Sequence, residues 1–144
     1  SGGVYLGGID AVNKLDDYEE GTWVPRIVGG ASGATYLQQQ GRYTKIGQMV
    51  FVRYYLQGSW TTDNTSFDIG GLPFVRGTAT GGWGTSGFMG GTAINAAVYK
   101  GQAIIPVGNS IMYCSTFEDN VAATAVTSTA NSKYVECYAT YNVD

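Results

Sequence analysis

The segment that most constrains the fold is residues 48–57, QMVFVRYYLQ, because apolar side chains occupy both of its alternating faces. Successive side chains of a β-strand point to opposite sides of the sheet. Arg53 is the one charged residue in this run. Such a pattern is typical of a strand that is covered on both sides or that lies at a contact between subunits.

Other short segments also carry the pattern of strands and turns. Residues 133–141 alternate between a small apolar face and a tyrosine-bearing face, which predicts a half-buried strand. The glycine-rich run 81–91, GGWGTSGFMGG, predicts a loop or a close backbone approach, and only residues 9–15 offer a single helical turn. Further strands, separated by Gly- and Asn-containing turns, are predicted at 22–28, 35–46, 66–69, 93–100, 103–107 and 111–117. The sequence therefore predicts an all-β fold, an antiparallel β-sandwich of jelly-roll-like topology.

Length and charge exclude several classes of protein. A chain of 144 residues is sufficient for one domain with its own core. The formal net charge is −3 and there is no basic run, so we expect no nucleic-acid partner. No stretch approaches 18 consecutive apolar residues, which argues against a membrane-spanning helix, and no signal peptide is visible. We expect neither nucleic-acid binding nor membrane insertion.

The chain contains no histidine, which removes the usual imidazole base and the common nucleophile pairs. The two cysteines, Cys114 and Cys137, lack the spacing of a metal site. Their strand-like surroundings, without a signal peptide, favour free buried thiols over a disulfide. We therefore expect no metal site and no cofactor.

Four short motifs follow one another in the first half of the chain. They are VYLGG at 4–8, LDDYEEGTWVP at 15–25, GRYTKIGQMVFVRYYLQG at 41–58 and IGGLPF at 69–74. Together they resemble the C-terminal domain of bacteriophage tail fibres and related virion appendages. The resemblance covers the first half of the chain, whereas residues 75–144 match only as generic strand and turn sequence.

The resemblance implies a non-enzymatic, homotrimeric knob at the tip of a fibre, made in the host cytoplasm and incorporated in the virion. Residues 1–20 would form the junction with the stem and residues 21–144 a single β-sandwich domain. Its partners would be its own copies and a host-cell surface polysaccharide or surface protein. Three Trp, eleven Tyr and five Phe are more aromatics than one small core readily uses, which agrees with contacts between subunits.

The acids at positions 16, 17, 19 and 20 allow three interpretations. Two carboxylates roughly 5–10 Å apart would suit a glycosidase, and several carboxylate oxygens would suit a hard cation. However, no apolar pocket or EF-hand spacing accompanies them. The structural interpretation is favoured, with Glu19 and Glu20 pairing with Arg26, Arg42 or Lys45.

The aromatic residues divide into two groups. Trp60 and Trp83 lie in turn-rich sequence, where an exposed ring could stack on a sugar. With Asp63 and Asn64 they form the predicted receptor-binding set, the alternative being that each ring folds inward or meets another subunit. The residues predicted for the core or the trimer contact are Trp23, Phe51, Tyr54 and Tyr55.

Three functions remain open from the sequence. The first is a receptor-binding knob that contacts its ligand through loops. The second is a glycan-processing, tailspike-type domain that uses the acids at 16–20. The third is a purely structural module that decorates the virion or trimerises.

Overall fold

The structure of the chain is a computed structural model. It describes residues 4–5, 7, 10, 14–15, 17–29, 31–62, 67–78, 84–90, 101–118, 121–125 and 133–144. Within these ranges the chain forms strands and connecting segments and no helix, so the predicted all-β class is confirmed. The strands are β1 (Val4–Tyr5), β2 (Lys14–Leu15), β3 (Tyr18–Trp23), β4 (Arg26–Gly29), β5 (Ala31–Ile46), β6 (Met49–Thr62), β7 (Phe67–Gly70), β8 (Gly84–Gly90), β9 (Gly101–Ile105), β10 (Ile111–Glu118), β11 (Val121–Ala125) and β12 (Lys133–Asn142).

All strand pairs are antiparallel, as predicted, and they form two sheets. A small sheet contains β1 and β2. The large sheet has ten strands in the order β3-β5-β6-β12-β8-β9-β10-β7-β4, with β11 attached to β10. The predicted domain boundary at residue 20 falls inside β3, which belongs to the large sheet from Tyr18 onward.

The large sheet curls so that its two ends meet. Its terminal strands, β3 and β4, are consecutive in sequence and are joined only by residues 24–25. Two side chains of β5, the neighbour of β3, hold the start of β4 in place. The Ile27 amide donates to the Tyr36 hydroxyl at 2.8 Å, and Gln39 Nε2 donates to the Pro25 carbonyl at 2.8 Å. The sheet thus encloses a single interior.

A long hairpin of β5 and β6 forms one wall of this interior. The two strands pair from Ile46 and Met49 outward, across a turn at Gly47 and Gln48. Gly47 has a φ of 56°, which favours glycine. The turn is held from both sides, because the Gly47 amide donates to the Asp17 carbonyl and the Val143 amide donates to the Gln48 carbonyl, both at 2.8 Å.

The core is built from inward-facing residues at every second position of the strands. Opposite walls touch directly: Cys137 Sγ on β12 lies 3.7 Å from Met112 Sδ on β10, although these strands are not neighbours in the sheet. The buried apolar residues are Trp23, Val50, Val52, Tyr54, Leu56, Trp60, Ile69, Leu72, Ala103, Ile105, Met112, Cys114, Val135, Cys137, Ala139 and Tyr141. Alternation of side chains therefore leaves one face of each of these strands outside the core.

Two local predictions differ from the structure, and a third lies outside the described residues. The glycine-rich run, predicted as a loop or a close backbone approach, contains strand β8, since backbone pairing to β9 and β12 does not require side chains. The strand predicted at 22–28 is interrupted at Pro25, which lacks the amide hydrogen of a ladder donor. The strand predicted at 93–100 lies outside the described residues.

Candidate functional site

The candidate site lies on the surface of strands β3, β5, β6 and β12 that points away from the core. We call this surface the outer face. On β6, Val50, Val52 and Tyr54 are buried while Phe51 and Arg53 are exposed, so successive residues point in and out. The strand register then sets the side chains in rows across the sheet. The central row is Thr22, Arg42, Arg53 and Tyr138.

The central row places two arginines directly opposite each other. Arg42 and Arg53 are Cα partners in the β5–β6 ladder, and both are exposed. Within the part of the chain that the structure describes, neither guanidinium has an ion-pair or hydrogen-bond partner. Directly opposed like charges destabilise a strand pair by roughly 0.2–1 kcal/mol. The row therefore presents two adjacent guanidinium groups to solvent.

Two shallow depressions adjoin this row. The larger, of about 460 Å³, is bordered by Phe51, Tyr138 and the polar residues Glu20, Thr22 and Thr44. Phe51 is 46% exposed and Tyr138 is 59% exposed, although both lie on interior strands of the sheet. The smaller depression, of about 230 Å³, is lined at its far side by Gln40, Tyr55 and Glu136. Both depressions include Arg42, Arg53 and Tyr138 in their walls.

At the far side of the smaller depression, two tyrosine rings stack on each other. Tyr55 and Tyr134 stack with their ring centroids 5.8 Å apart and their planes at 19°. Tyr55 is half-buried on the outer face, whereas its neighbour Tyr54 points into the core. This division of the pair between opposite faces is the one that strand alternation predicts.

The opposite end of the outer face is apolar. Tyr18, Ile46 and Met49 are register partners on β3, β5 and β6, and all three are exposed. We call these three residues the apolar row. It lies where the chain passes from β2 into β3, and Phe51 adjoins it on β6.

The acidic cluster does not form a facing pair of carboxylates. Glu19 and Glu20 are adjacent on β3 and so point to opposite faces. The Tyr43 hydroxyl donates to Glu19 Oε1 at 2.5 Å, and the Tyr18 hydroxyl donates to Glu20 Oε2 at 2.9 Å. The hydrogen bond to Glu19 raises the pKa of Tyr43, because it stabilises the protonated phenol.

The predicted ion pairs of Glu19 and Glu20 need correction. Lys45 Nζ instead lies 2.6 Å from Asp17 Oδ1. Glu19 and Glu20 bind tyrosine hydroxyls rather than Arg26, Arg42 or Lys45. The reason is the register: Lys45 is opposite Glu19 in the ladder, but its side chain extends toward the segment that precedes β3. Asp16 lies outside the described residues.

The prediction that Trp60 is available to a receptor is wrong for this chain. Strand β6 continues to Thr62, beyond the predicted end of the strand, so Trp60 keeps the inward position of every second residue. Its side chain is only 6% exposed and belongs to the core. The other predicted receptor-binding residues, Asp63, Asn64 and Trp83, lie outside the described residues.

The residues predicted for core or trimer contacts lie in two places. Trp23 and Tyr54 are buried in the core. Phe51 and Tyr55 are on the outer face, where Phe51 is exposed. The outer face of β6 is thus not covered by another part of the described chain, and Phe51 is exposed there.

The two cysteines are free and buried, as the sequence favoured. Burial raises the pKa of Cys137 to about 12, and burial also raises that of Cys114 well above its usual range. Thiols in such surroundings are protonated and unreactive. Across the described ranges, no group of three or more His, Cys, Asp or Glu residues could hold a metal ion. No described helix is long and apolar enough to cross a membrane.

Sequence reasoning did not identify Arg42, Arg53 and Tyr138 as one site. The available signal was Arg53, the single charge in an apolar strand. Its juxtaposition with Arg42 depends on the register of the β5–β6 hairpin, which the sequence does not specify. No protein-family model, curated protein or solved structure matches the chain, so its function is inferred from these residues.

Proposed function

We propose that this chain is the receptor-binding distal domain of a bacteriophage tail fibre, and that it binds a glycan of the host-cell surface without processing it. In this proposal the domain is a jelly-roll-like homotrimer incorporated in the virion. The sequence resemblance supports the viral context, and the outer face supports binding. The observation that carries the proposal is the pair of adjoining depressions beside Phe51 and Tyr138, which we call the groove.

The groove has the chemistry that sugars require. Aromatic rings such as Tyr138 and Phe51 can stack on the C–H faces of a sugar, while nearby polar groups bond its hydroxyls. Thr22, Thr44 and Glu20 provide hydroxyl and carboxylate groups at the rim of the larger depression. Because these side chains project from hydrogen-bonded strands, a ligand would bind with little ordering of the backbone.

The apolar row supports self-association. Tyr18, Ile46 and Met49 expose contiguous apolar surface next to the segment that precedes β3. In a fibre, this end of the domain would be next to the stem, where the three chains converge. Contact between copies would remove these side chains from water, which is favourable at about 25 cal/mol per Å² of apolar surface buried.

The arrangement of carboxylates favours binding over hydrolysis. Glu20 and Glu136 are the acidic residues that line the two depressions, but they lie on β3 and β12. Three strand spacings separate these strands in the sheet, a distance of about 14 Å. Glycoside hydrolysis needs two carboxyl groups roughly 5–10 Å apart. The groove is therefore better suited to holding a glycan than to cleaving it.

Binding can be tested on a panel of purified bacterial surface polysaccharides and on whole cells. Tyr138→Ala should abolish binding and leave the thermal midpoint unchanged, because the side chain is mostly outside the core. Leu37→Ala is the matched control, since Leu37 is 74% exposed on β5 but does not line the groove. Equal binding by Tyr138→Ala and the wild type would contradict the proposed site.

The oligomeric state can be tested by light scattering after gel filtration. A trimer of the 15.3 kDa chain would have a mass of about 46 kDa. Met49→Lys should shift the protein toward monomer, because it places a charge in the apolar row, whereas Leu37→Lys should not. A wild-type monomer at micromolar concentration would contradict trimerisation by this domain without bearing on the groove.

A further inference from the structure

We infer that the groove takes an acidic glycan, and that Arg42 and Arg53 together bind one carboxylate or phosphate group of it. This inference rests on the proposed function and specifies its ligand class. It depends on the opposed arginines, whose chemistry differs from that of the aromatic groups around them. The two guanidinium groups would act as one anion-binding site in the middle of the groove.

Arg42 and Arg53 form a pair of adjacent like charges on the outer face. Arg42 and Arg53 are locked opposite each other by a hairpin whose register continues from Gln38 to the turn at Gly47. Neither arginine has an ionic partner among the residues that the structure describes. Their mutual repulsion is relieved when an anion binds between them. The planar fork of a guanidinium matches the geometry of carboxylate and phosphate oxygens and forms charge-assisted hydrogen bonds with them.

The arginine pair also has a central position in the groove. Arg42 and Arg53 belong to the walls of both depressions, so they lie where the two adjoin. From Phe51 to Tyr55 the face extends about 13 Å along the strand, which exceeds the length of a single sugar ring. An acidic residue of a glycan would meet the arginines while its neighbours occupy the depressions on either side.

The carboxylates near the arginine pair make the groove unsuitable for a continuous polyanion. Glu20 lines the larger depression and Glu136 the smaller one, so carboxylates flank the arginines on both sides. The whole chain has a formal net charge of −3. A continuous polyanion such as a nucleic acid would place further phosphates against these carboxylates. An acidic sugar between uncharged sugars fits this pattern better.

The test compares polymers that differ only in their charge. The probes are a hexuronate-containing polysaccharide with its carboxyl-reduced form, and a polysaccharide that carries phosphate monoesters with its phosphatase-treated form. Wild-type protein should bind at least one acidic polymer about tenfold or more tightly than the matched neutral one. Which of the two pairs shows this preference identifies the anion. No preference for either acidic polymer would overturn the inference.

Variants assign the preference to the arginine pair. Arg42→Gln and Arg53→Gln should each lose the preference, and the double variant should lose little more, because both residues bind the same group. Arg53→Lys should recover part of it, since it keeps the charge but not the fork. The glutamine variants should unfold at no lower temperature than the wild type, because they remove repulsion. Preference retained in the double variant would overturn the inference.

Two further outcomes separate this inference from the proposed function. If Tyr138→Ala abolishes glycan binding while the arginine variants change nothing, the glycan site stands and the anion site is rejected. If the wild type binds no glycan and no cells, the proposed function fails, and the inference fails with it.

Binding of single-stranded DNA as tight as that of the acidic glycan would also overturn the inference, because it would indicate non-specific attraction of polyanions.

Discussion

Trp23 and Tyr54 pack edge to face in the core, with their ring centroids 5.9 Å apart and their planes at 81°. The indole of Trp23 also donates from Nε1 to the carbonyl of Arg42 at 3.2 Å. One buried ring therefore contacts the core and also fixes the backbone of a groove residue. This contact couples the stability of the interior to the geometry of the outer face.

Replacement of Trp23 should be strongly destabilising. Trp23→Ala removes a buried aromatic side chain and should lower the free energy of unfolding by about 3–5 kcal/mol. Trp23→Phe should cost less, since it retains most of the apolar volume but loses the bond to Arg42. Urea unfolding followed by circular dichroism measures both. Val107→Ala, at an exposed position, is the control, and a Trp23→Ala effect as small as that of the control would contradict this account.

Gly41 should not tolerate a side chain. A Cβ atom at this position would lie 2.6 Å from the Trp23 carbonyl oxygen and 2.7 Å from Trp23 Nε1. Gly41→Ala must therefore displace β3 from β5, and we expect a loss of stability of about 1–3 kcal/mol. Ser32→Ala, at an exposed position of the same strand, is the control. Unchanged urea midpoints for Gly41→Ala would show that the two strands are not this close.

The hydroxyl of Tyr141 should contribute measurably to stability. It accepts a hydrogen bond from the Phe74 amide at 3.3 Å and donates one to the Phe74 carbonyl at 3.1 Å. Tyr141→Phe leaves both backbone groups without this partner and should cost about 1–3 kcal/mol. Tyr138→Phe removes an exposed hydroxyl and should have no effect on unfolding. Equal stabilities of the two variants would contradict the role of the hydroxyl.

Stability should decrease at alkaline pH. Burial raises the pKa of Cys137 from 9.0 to about 12 and that of Cys114 in the same direction. Between pH 9 and 12 the unfolded chain releases thiol protons that the folded chain retains. The free energy of unfolding therefore falls as pH rises, by up to about 1.4 kcal/mol per pH unit for each thiol.

Urea unfolding in the presence of a reductant, at pH values from 7 to 10.5, measures this dependence. Cys137→Ala should be less stable at pH 7, because it leaves a small cavity, but its stability should fall less steeply above pH 9. The slopes below pH 8 should agree for both proteins. The same alkaline slope in wild type and variant would show that Cys137 is not the cause.

The ion pair of Lys45 and Asp17 should contribute little. Asp17 is largely exposed, so water and salt screen the attraction despite the 2.6 Å separation. Lys45→Ala should change the free energy of unfolding by about 1 kcal/mol or less, and the difference should shrink in 1 M salt. Urea unfolding at low and high salt measures it. A large, salt-independent loss would indicate that the lysine has another role.

The sequence predicted some parts of the structure correctly because they depend on local patterns. An apolar run on both faces is sufficient to identify β6, and alternation of side chains is sufficient to identify β12. The series of short strand patterns separated by turn residues is sufficient for the all-β class. The prediction for Trp60 was wrong because the end of a strand depends on its partners. Pairing with β5 continues to Thr62, and no local turn signal overrides it.

The sequence by itself determined that this chain forms antiparallel strands, has no imidazole chemistry and has an unusual charge at Arg53 within an apolar run. Only the tertiary structure decided that the sheet curls until β4 lies against β5, that Trp60 is buried and that Arg42 lies opposite Arg53. The physical reason is that local propensity sets which residues form strands, whereas register and burial depend on contacts between residues distant in sequence.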